Sequence, residues 1–239
     1  MKYAIEVSGL TKTFGATTAV QHLSLRVKKG SIFGLLGHNG AGKSTTIDCI
    51  LGTQKPSQGA IKILGMDPSK DRKQLFQNVG VQFQESAFQK GLKVKEICEI
   101  THSLYKNPLD WKEKLEMFGL SHRLKVKVSE LSGGERQKLC ILLAMMGQPD
   151  VIFLDELTTG LDPLARREVW STLQNLKDLG VTIFLTSHFM DEVENLCDEI
   201  LVLKNGQTLI SGTVPEVIAY SGGKNMDDAF IKLIEGEFE

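Results

Sequence analysis

The 239-residue chain is 41% apolar and 24% charged, with a formal net charge of −1, an ordinary globular composition able to fill one large core. That balance argues against a nucleic-acid partner, which leaves a basic footprint, and no apolar run approaches the roughly 18–20 residues that cross a bilayer. The N-terminus lacks a signal peptide's apolar block, and Cys49, Cys98, Cys140 and Cys197 show neither a CxxC pair nor a histidine at ligand spacing, so they read as buried thiols of a cytosolic α/β protein.

The first third reads mainly as strands. "MKYAIEVSGL", "HLSLRV" and "GAIKIL" alternate apolar and polar residues, as half-buried strands do. "SIFGLL" is nearly all apolar, which predicts a strand buried on both faces. It feeds the glycine-rich "GHNGAGKS", and "KSTTIDCILG" then reads as a helix ending at Gly52. From about Ala87 to Met146 the periodicity is helical, as in "KVKEICEITHSLY" and "WKEKLEMFGL". After Pro149 strands return: "VIFL" and "VTIFLTS" flank the helix "PLARREVWSTLQNLKDLG". That β-α-β order predicts a parallel sheet. "EILVLKNGQTLIS" reads as a hairpin turning at Asn205-Gly206, and "MDDAFIKLIEGEFE" as a short amphipathic helix.

Gly37 to Ser44 match G-x-x-x-x-G-K-[ST], the pattern of a phosphate-binding P-loop. Its glycines let consecutive backbone N–H groups converge on phosphate oxygens, and the following helix adds its positive end. Lys43 then reaches the β- and γ-phosphates and the Ser44 hydroxyl takes Mg²⁺. His38 is assigned no chemistry of its own. A P-loop enzyme also needs an acidic residue at the end of a neighbouring strand to hold Mg²⁺, and Asp155 in "VIFLDE" fits. Glu156, one residue on, points differently and is the candidate for polarising an attacking water. "TSH" puts His188 at the carboxyl edge of another buried strand, where parallel sheets gather ligands. One edge thus explains Gly37, Asp155 and His188.

"LSGGERQ", Leu131 to Gln137, offers a second phosphate cradle: the Ser132 hydroxyl and the N–H groups of Gly133 and Gly134 at a helix start. Ser132 and Glu135 also form an S-x-x-E capping box. Alone, that spacing favours capping; beside a P-loop, it favours phosphate. The two roles are compatible, because a capped helix keeps its positive dipole.

In this order the P-loop, "LSGGE", "LDE", "GLD" and "TSH" resemble the ATP-binding cassette (ABC) of membrane transporters, over essentially the whole chain. The resemblance implies an α/β fold: a P-loop NTPase (RecA-like) core with an N-terminal antiparallel β subdomain and an inserted α-helical subdomain. Residues 1–239 then form a single ABC ATPase domain. Within it, 1–86 and 147–220 make the ATP-binding core and β subdomain, 87–146 the helical signature subdomain, and 221–239 a C-terminal helical tail. It implies ATP and Mg²⁺ as cofactors, with nucleotide held by Gly37, His38, Asn39, Gly40, Ala41, Gly42, Lys43, Ser44 and Thr45. Lys43, Glu156 and His188 are the implied catalytic groups, and Ser44, Gln84 and Asp155 the implied metal ligands. Phe14 matches the position that stacks on adenine, with a core aromatic as the alternative; Gln82 is the alternative register for Gln84. In the family two cassettes pack head to tail, so that Ser132, Gly133, Gly134 and Glu135 face the ATP of the other copy and Asp162 lies on the crossing loop.

Two positions depart from the family pattern. Glu135 replaces the usual glutamine and adds negative charge near the triphosphate, which weakens binding or slows closure. Leu157 replaces the usual proline and loosens the loop carrying Asp162. The resemblance further implies a second copy or a homologous cassette as one partner and a separate transmembrane permease as the other, docking near Glu85–Leu92. Contact with the membrane then runs through the permease only, at the cytoplasmic face, with no nucleic acid involved. The segment "TTGLDPLARREVW…TSHFMDEVENLCDEI" resembles the bacterial branch that exports drugs, polysaccharides or peptides. A soluble non-transport cassette protein and a nucleotide-sensing module are the competing readings. The single P-loop opposes the first, and intact Lys43, Asp155, Glu156 and His188 oppose the second.

Overall fold

A computed structural model describes residues 2–82 and 88–236. Tyr3–Phe14 (β1) and Thr17–Lys28 (β2) form a long antiparallel pair. In β2 the sequence alternation becomes an alternation of burial: Leu23, Leu25 and Val27 point into the core, while Ser24 and Arg26 face water. Ile32–Gly37 (β3) is buried at every residue and leads into Lys43–Ile50 (α1). Gln58–Ile63 (β4) then returns to pair with β1, giving a sheet of order β2-β1-β4.

The remaining strands are Val79–Gln82 (β5), Val151–Asp155 (β6), Thr182–Thr186 (β7), Glu199–Lys204 (β8) and Gln207–Thr213 (β9). With β3 they form a second sheet among the described residues, of order β5-β6-β7-β3-β8-β9. Every neighbouring pair is parallel except the β8–β9 hairpin. That hairpin turns at Asn205 and Gly206, both with positive φ, as a two-residue turn between twisted strands requires.

This sheet divides the core. Phe33, Phe184 and Phe153 lie side by side across β3, β7 and β6, with ring centroids 5.5 and 5.3 Å apart, and face α1 and the antiparallel sheet. Their neighbours Ile32, Ile183 and Ile152 face the helices on the other side. Each fully buried side chain of this size contributes about 1.5–3 kcal/mol, so both faces resist a register slip. The helices packed on the second face include Val94–His102 (α3), Trp111–Met117 (α4), Gly133–Ala144 (α5) and Pro163–Asp178 (α6). The segment from α3 to α5 is helical as expected; its extended pairing among the described residues is one isolated bridge, Lys93 to Lys127.

Four elements exceed the sequence expectation, the first a single helical turn, Arg72–Leu75 (α2). β5 is only four residues long and contains Gly80, whose added Cβ would lie 2.1 Å from the Ala144 carbonyl oxygen. A close approach of α5, rather than an apolar alternation, fixes it there. Met190–Leu196 (α7) and Val214–Ser221 (α8) are short helices without a long periodic stretch to announce them. The C-terminal amphipathic segment forms Met226–Glu235 (α9). No helix among the described residues is long and apolar enough to cross a membrane.

Candidate functional site

The order β6-β7-β3 makes neighbours of three parallel strands that end at Asp155, Thr186 and Gly37. Their carboxyl ends therefore share one sheet edge, where such folds bind ligands. Gly37 has φ 154°, and a Cβ there would lie 2.6 Å from the Leu203 carbonyl oxygen. Gly42, at φ 105°, would meet the Ala19 carbonyl at 2.6 Å. Only glycine serves at either place. The loop is also tied to the hairpin: Gly206 N donates to Ala41 O at 3.0 Å, and Gln21 N donates to Gly206 O at 2.8 Å.

Lys43 is 7% exposed, and its Nζ donates to the Gly37 carbonyl at 2.8 Å, curling over the loop it belongs to. Burial pushes its ammonium below the usual lysine range, opposed by the charges of Glu156 and Asp155. Ser44, one residue into α1, is exposed. Asp155 accepts a short hydrogen bond from the Thr186 hydroxyl on Oδ1. Burial pushes the Asp155 carboxyl up; Thr186 opposes the shift and the Glu156 charge adds to it. Thr186 is a site residue that sequence reading passed over, although "TSH" contained it. Its Oγ1 also accepts from Glu156 N at 3.0 Å, holding the two acidic residues in register.

Glu156 adopts φ 50°, the left-handed region that costs a side-chain-bearing residue free energy. The backbone thereby turns at the strand end, and the Glu156 carboxylate meets His188 Nε2 in direct contact. The structure thus brings Lys43, Asp155, Glu156 and His188 to one edge. Gln84 lies outside the described residues; Gln82 is buried at the end of β5, beside Leu154. Phe14 ends β1, is 47% exposed, and carries Lys12 Nζ 4.6 Å from its ring centroid. It is therefore no core aromatic, and its ring is accessible for stacking.

Ser132 caps α5, and the capping box is complete. Glu135 N donates to Ser132 Oγ at 3.2 Å, and Ser132 N donates to Glu135 Oε2 at 2.9 Å. Arg123 Nε donates to Glu135 Oε1 at 2.7 Å. Burial raises the Glu135 pKa, but the Ser132 and Arg123 hydrogen bonds outweigh it and hold the carboxyl below its ordinary value. The added charge is thus turned back into the cap and paired with Arg123. The Leu157 side chain, where the family has proline, is 4% exposed within the main core. Asp162 caps α6, its Oδ1 accepting from Leu164 N and Ala165 N at 3.0 Å each, with Pro163 in the first turn.

The donor set suits a nucleotide-bound Mg²⁺. Among the described residues no cluster of three or more His, Cys, Asp or Glu could cage a metal. An exposed Ser44 hydroxyl and one Asp155 carboxylate are the few protein ligands that Mg²⁺ takes when phosphates and water complete its octahedron.

Comparison with known proteins agrees with this geometry. Residues 20–159 match the family model described as "ABC transporter". The chain is 38% identical over 240 residues to the probable multidrug ABC transporter ATP-binding protein YbhF of Escherichia coli K12, covering 96% of this chain but 41% of that protein. It is 36% identical to Nod factor export ATP-binding protein I of Ralstonia nicotianae (95% of this chain, 72% of that one). With the bacitracin transport ATP-binding protein BcrA of Bacillus licheniformis it shares 37% identity, over 87% and 69% of the two chains. Among solved structures, the ATP-binding subunit of an ABC transporter superposes with a TM-score of 0.86 at 28% identity, over 96% of this chain and 99% of the other. The ADP conformation of an ATP-binding cassette gives 0.82 at 28%, over 97% and 99%. By sequence and fold together, the chain belongs to the ABC transporter family.

Proposed function

We propose that two such chains, identical or homologous, close head to tail over two ATP molecules and hydrolyse them to drive export through a separate transmembrane subunit. The observation that carries this reading is the convergence of Lys43, Asp155 and the Glu156–His188 pair on one edge, while the start of α5 presents exposed Ser132 and Gly133. Among the described residues, the side chains of Ser132 and Glu135 pair with each other's backbone N–H groups and, for Glu135, with Arg123 and His122, all local in sequence. A second anion cradle with only local partners is free to serve another copy's nucleotide.

Each described group has a role that its placement supports; Gln84, outside the described residues, is assigned by the resemblance alone. Loop 37–45 wraps the phosphates and Lys43 moves its ammonium from the Gly37 carbonyl to the β- and γ-phosphates. Phe14 stacks on the adenine. Ser44, Asp155 and Gln84 would hold Mg²⁺, which would neutralise phosphate charge. Glu156 accepts the proton of the attacking water, and His188 orients both that carboxylate and the γ-phosphate. Ser132, Gly133 and Gly134 complete the site from the partner, and Asp162 sits where the two copies cross. Residues 87–146 move as the signature-bearing unit relative to 1–86 and 147–220, and the permease docks near 85–92 at the cytoplasmic face of the membrane. The relative named for Nod factor export supports export as the direction. ATP drives closure only through its preference for the closed pair.

Mixing two inactive variants tests the shared site. Lys43→Ala and Ser132→Arg each spoil both sites of a homodimer, but a mixed dimer regenerates one intact site. Mixing should restore about a quarter of wild-type turnover, since half the dimers are mixed and each holds one working site. Mixtures as inactive as their components count against the head-to-tail arrangement.

A further inference from the structure

The first turn of α6 reaches the chain just beyond His188 through a side chain that the mechanism above does not use. Arg166 N donates to the Asp162 carbonyl at 3.0 Å, which places Arg166 one turn inside the helix that Asp162 caps. Its guanidinium carbon lies 3.8 Å from the centroid of the Phe189 ring, and its Nη1 donates to Asp191 Oδ2 at 3.2 Å. Phe189 follows His188 directly, and its N–H donates back to Ser187 Oγ at 3.0 Å, closing a tight turn around His188. The contact between α6 and α7 continues along one face of α6. Trp170 Nε1 donates to Glu192 Oε1 at 3.0 Å, and Gln174 Nε2 donates to the Asn195 carbonyl at 3.2 Å, so that Arg166, Trp170 and Gln174 form a single stripe four residues apart.

We infer that Arg166 is a positioning residue for hydrolysis: by gripping Phe189 and Asp191, it holds the turn that carries His188 against the first turn of α6. This rests on the role proposed for His188. Stability alone does not account for the arrangement. The Arg166 side chain is 15% exposed, and its buried Nε has no hydrogen-bond partner among the described residues. An unsatisfied buried donor costs free energy that an apolar residue on the same stripe avoids. Asp191 is 54% exposed, so the ion pair by itself contributes little. What the guanidinium supplies is direction, because a planar cation covers one ring face while its edge meets a carboxylate. The same turn of α6 packs against the start of α5, where a Cβ on Gly134 would lie 3.1 Å from the Ala165 Cβ. Arg166 therefore joins the His188 turn to the element that carries Asp162 and supports the second cradle.

Arg166→Ala should lower kcat about ten-fold, as a small misplacement of reacting groups does, and leave the ATP dissociation constant at its wild-type value. Phe189→Leu removes the ring and should lower kcat by a similar factor, and the double variant should fall no further, because both cut one contact. Gln174→Ala cuts the far end of the same stripe and should keep wild-type kcat. A merely structural link between α6 and α7 would make the two ends alike, so a loss in Gln174→Ala equal to that in Arg166→Ala overturns the inference. Unchanged kcat in Arg166→Ala, or losses that multiply in the double variant, overturns it as well. Should Arg166→Ala not fold, Phe189→Leu decides: normal turnover overturns the inference, and lowered kcat at unchanged ATP affinity supports it. His188→Ala run alongside separates the two levels. If it hydrolyses normally, the His188 role fails; if it is dead while Arg166→Ala is normal, only the positioning role fails.

Discussion

The P-loop edge and the start of α5 both offer backbone N–H groups to an anion, yet they are assembled from different lengths of chain. The first depends on strands that end at Gly37, Asp155 and Thr186, the first more than a hundred residues from the other two in sequence, and on a hairpin turn that grips the loop at Ala41. Its lysine is buried and its glycines are wedged against Leu203 and Ala19. The second is local. A serine, a glutamate three residues on, and His122 and Arg123 a short way upstream make up its polar surroundings among the described residues. A site formed by tertiary convergence comes rigid and with its catalytic groups in place. A site formed by a helix cap is exposed and self-sufficient, which suits it to meet a partner's ligand.

The sharpest way to break this contrast is at the convergent site. Glu156→Gln should reduce hydrolysis by about 10²–10⁴-fold, the range for loss of a general base, while ATP binding persists and nucleotide-bound dimers accumulate on size exclusion with light scattering. Normal turnover removes Glu156 from its role. Lys43→Ala should weaken ATP binding by about a hundred-fold, given the strength of charge-assisted bonds to phosphate; titration with a fluorescent nucleotide measures it, and wild-type affinity contradicts the P-loop assignment. At the local site the effects are smaller. Glu135→Ala removes half of a capping box and should cost about 1 kcal/mol of stability by denaturant titration. The Glu135 carboxyl is held below its ordinary value of 4.5. Its contribution is therefore full above that pH and fades as pH falls through the lowered value; a loss that is the same at pH 7 and pH 3 refutes the pairing. Arg123→Ala should cost less than that in stability, as exposed ion pairs do. It should nevertheless weaken ATP-dependent dimerisation, because it frees the Glu135 charge toward the partner's triphosphate.

Much of the site was legible because its chemistry is written in contiguous residues. "GHNGAGKS" requires glycines where the loop turns and a lysine that can fold back over it; both demands are local, and the structure meets them at Gly37, Gly42 and Lys43. "SGGE" announced its own capping box. The role of Thr186 was not legible, because a threonine at a strand end has no distinguishing pattern until its neighbour strand is known. Likewise Arg123 precedes "LSGGE" without any spacing rule that links it to Glu135. The surroundings of the two departures were not legible either, since neither the Arg123 pairing of Glu135 nor the burial of Leu157 follows from nearby residues.

The sequence by itself determined the longer strands and helices, the identity of the phosphate-binding loop and the helix cap, because these depend on periodicity, glycine and capping residues within a few positions. Only the tertiary structure decided that β5 joins the sheet through Gly80, that Leu157 is buried in the core, and that Thr186 links Asp155 to Glu156. Those outcomes follow from burial and close approach between distant segments, where the free energy belongs to a contact and neither residue carries it alone.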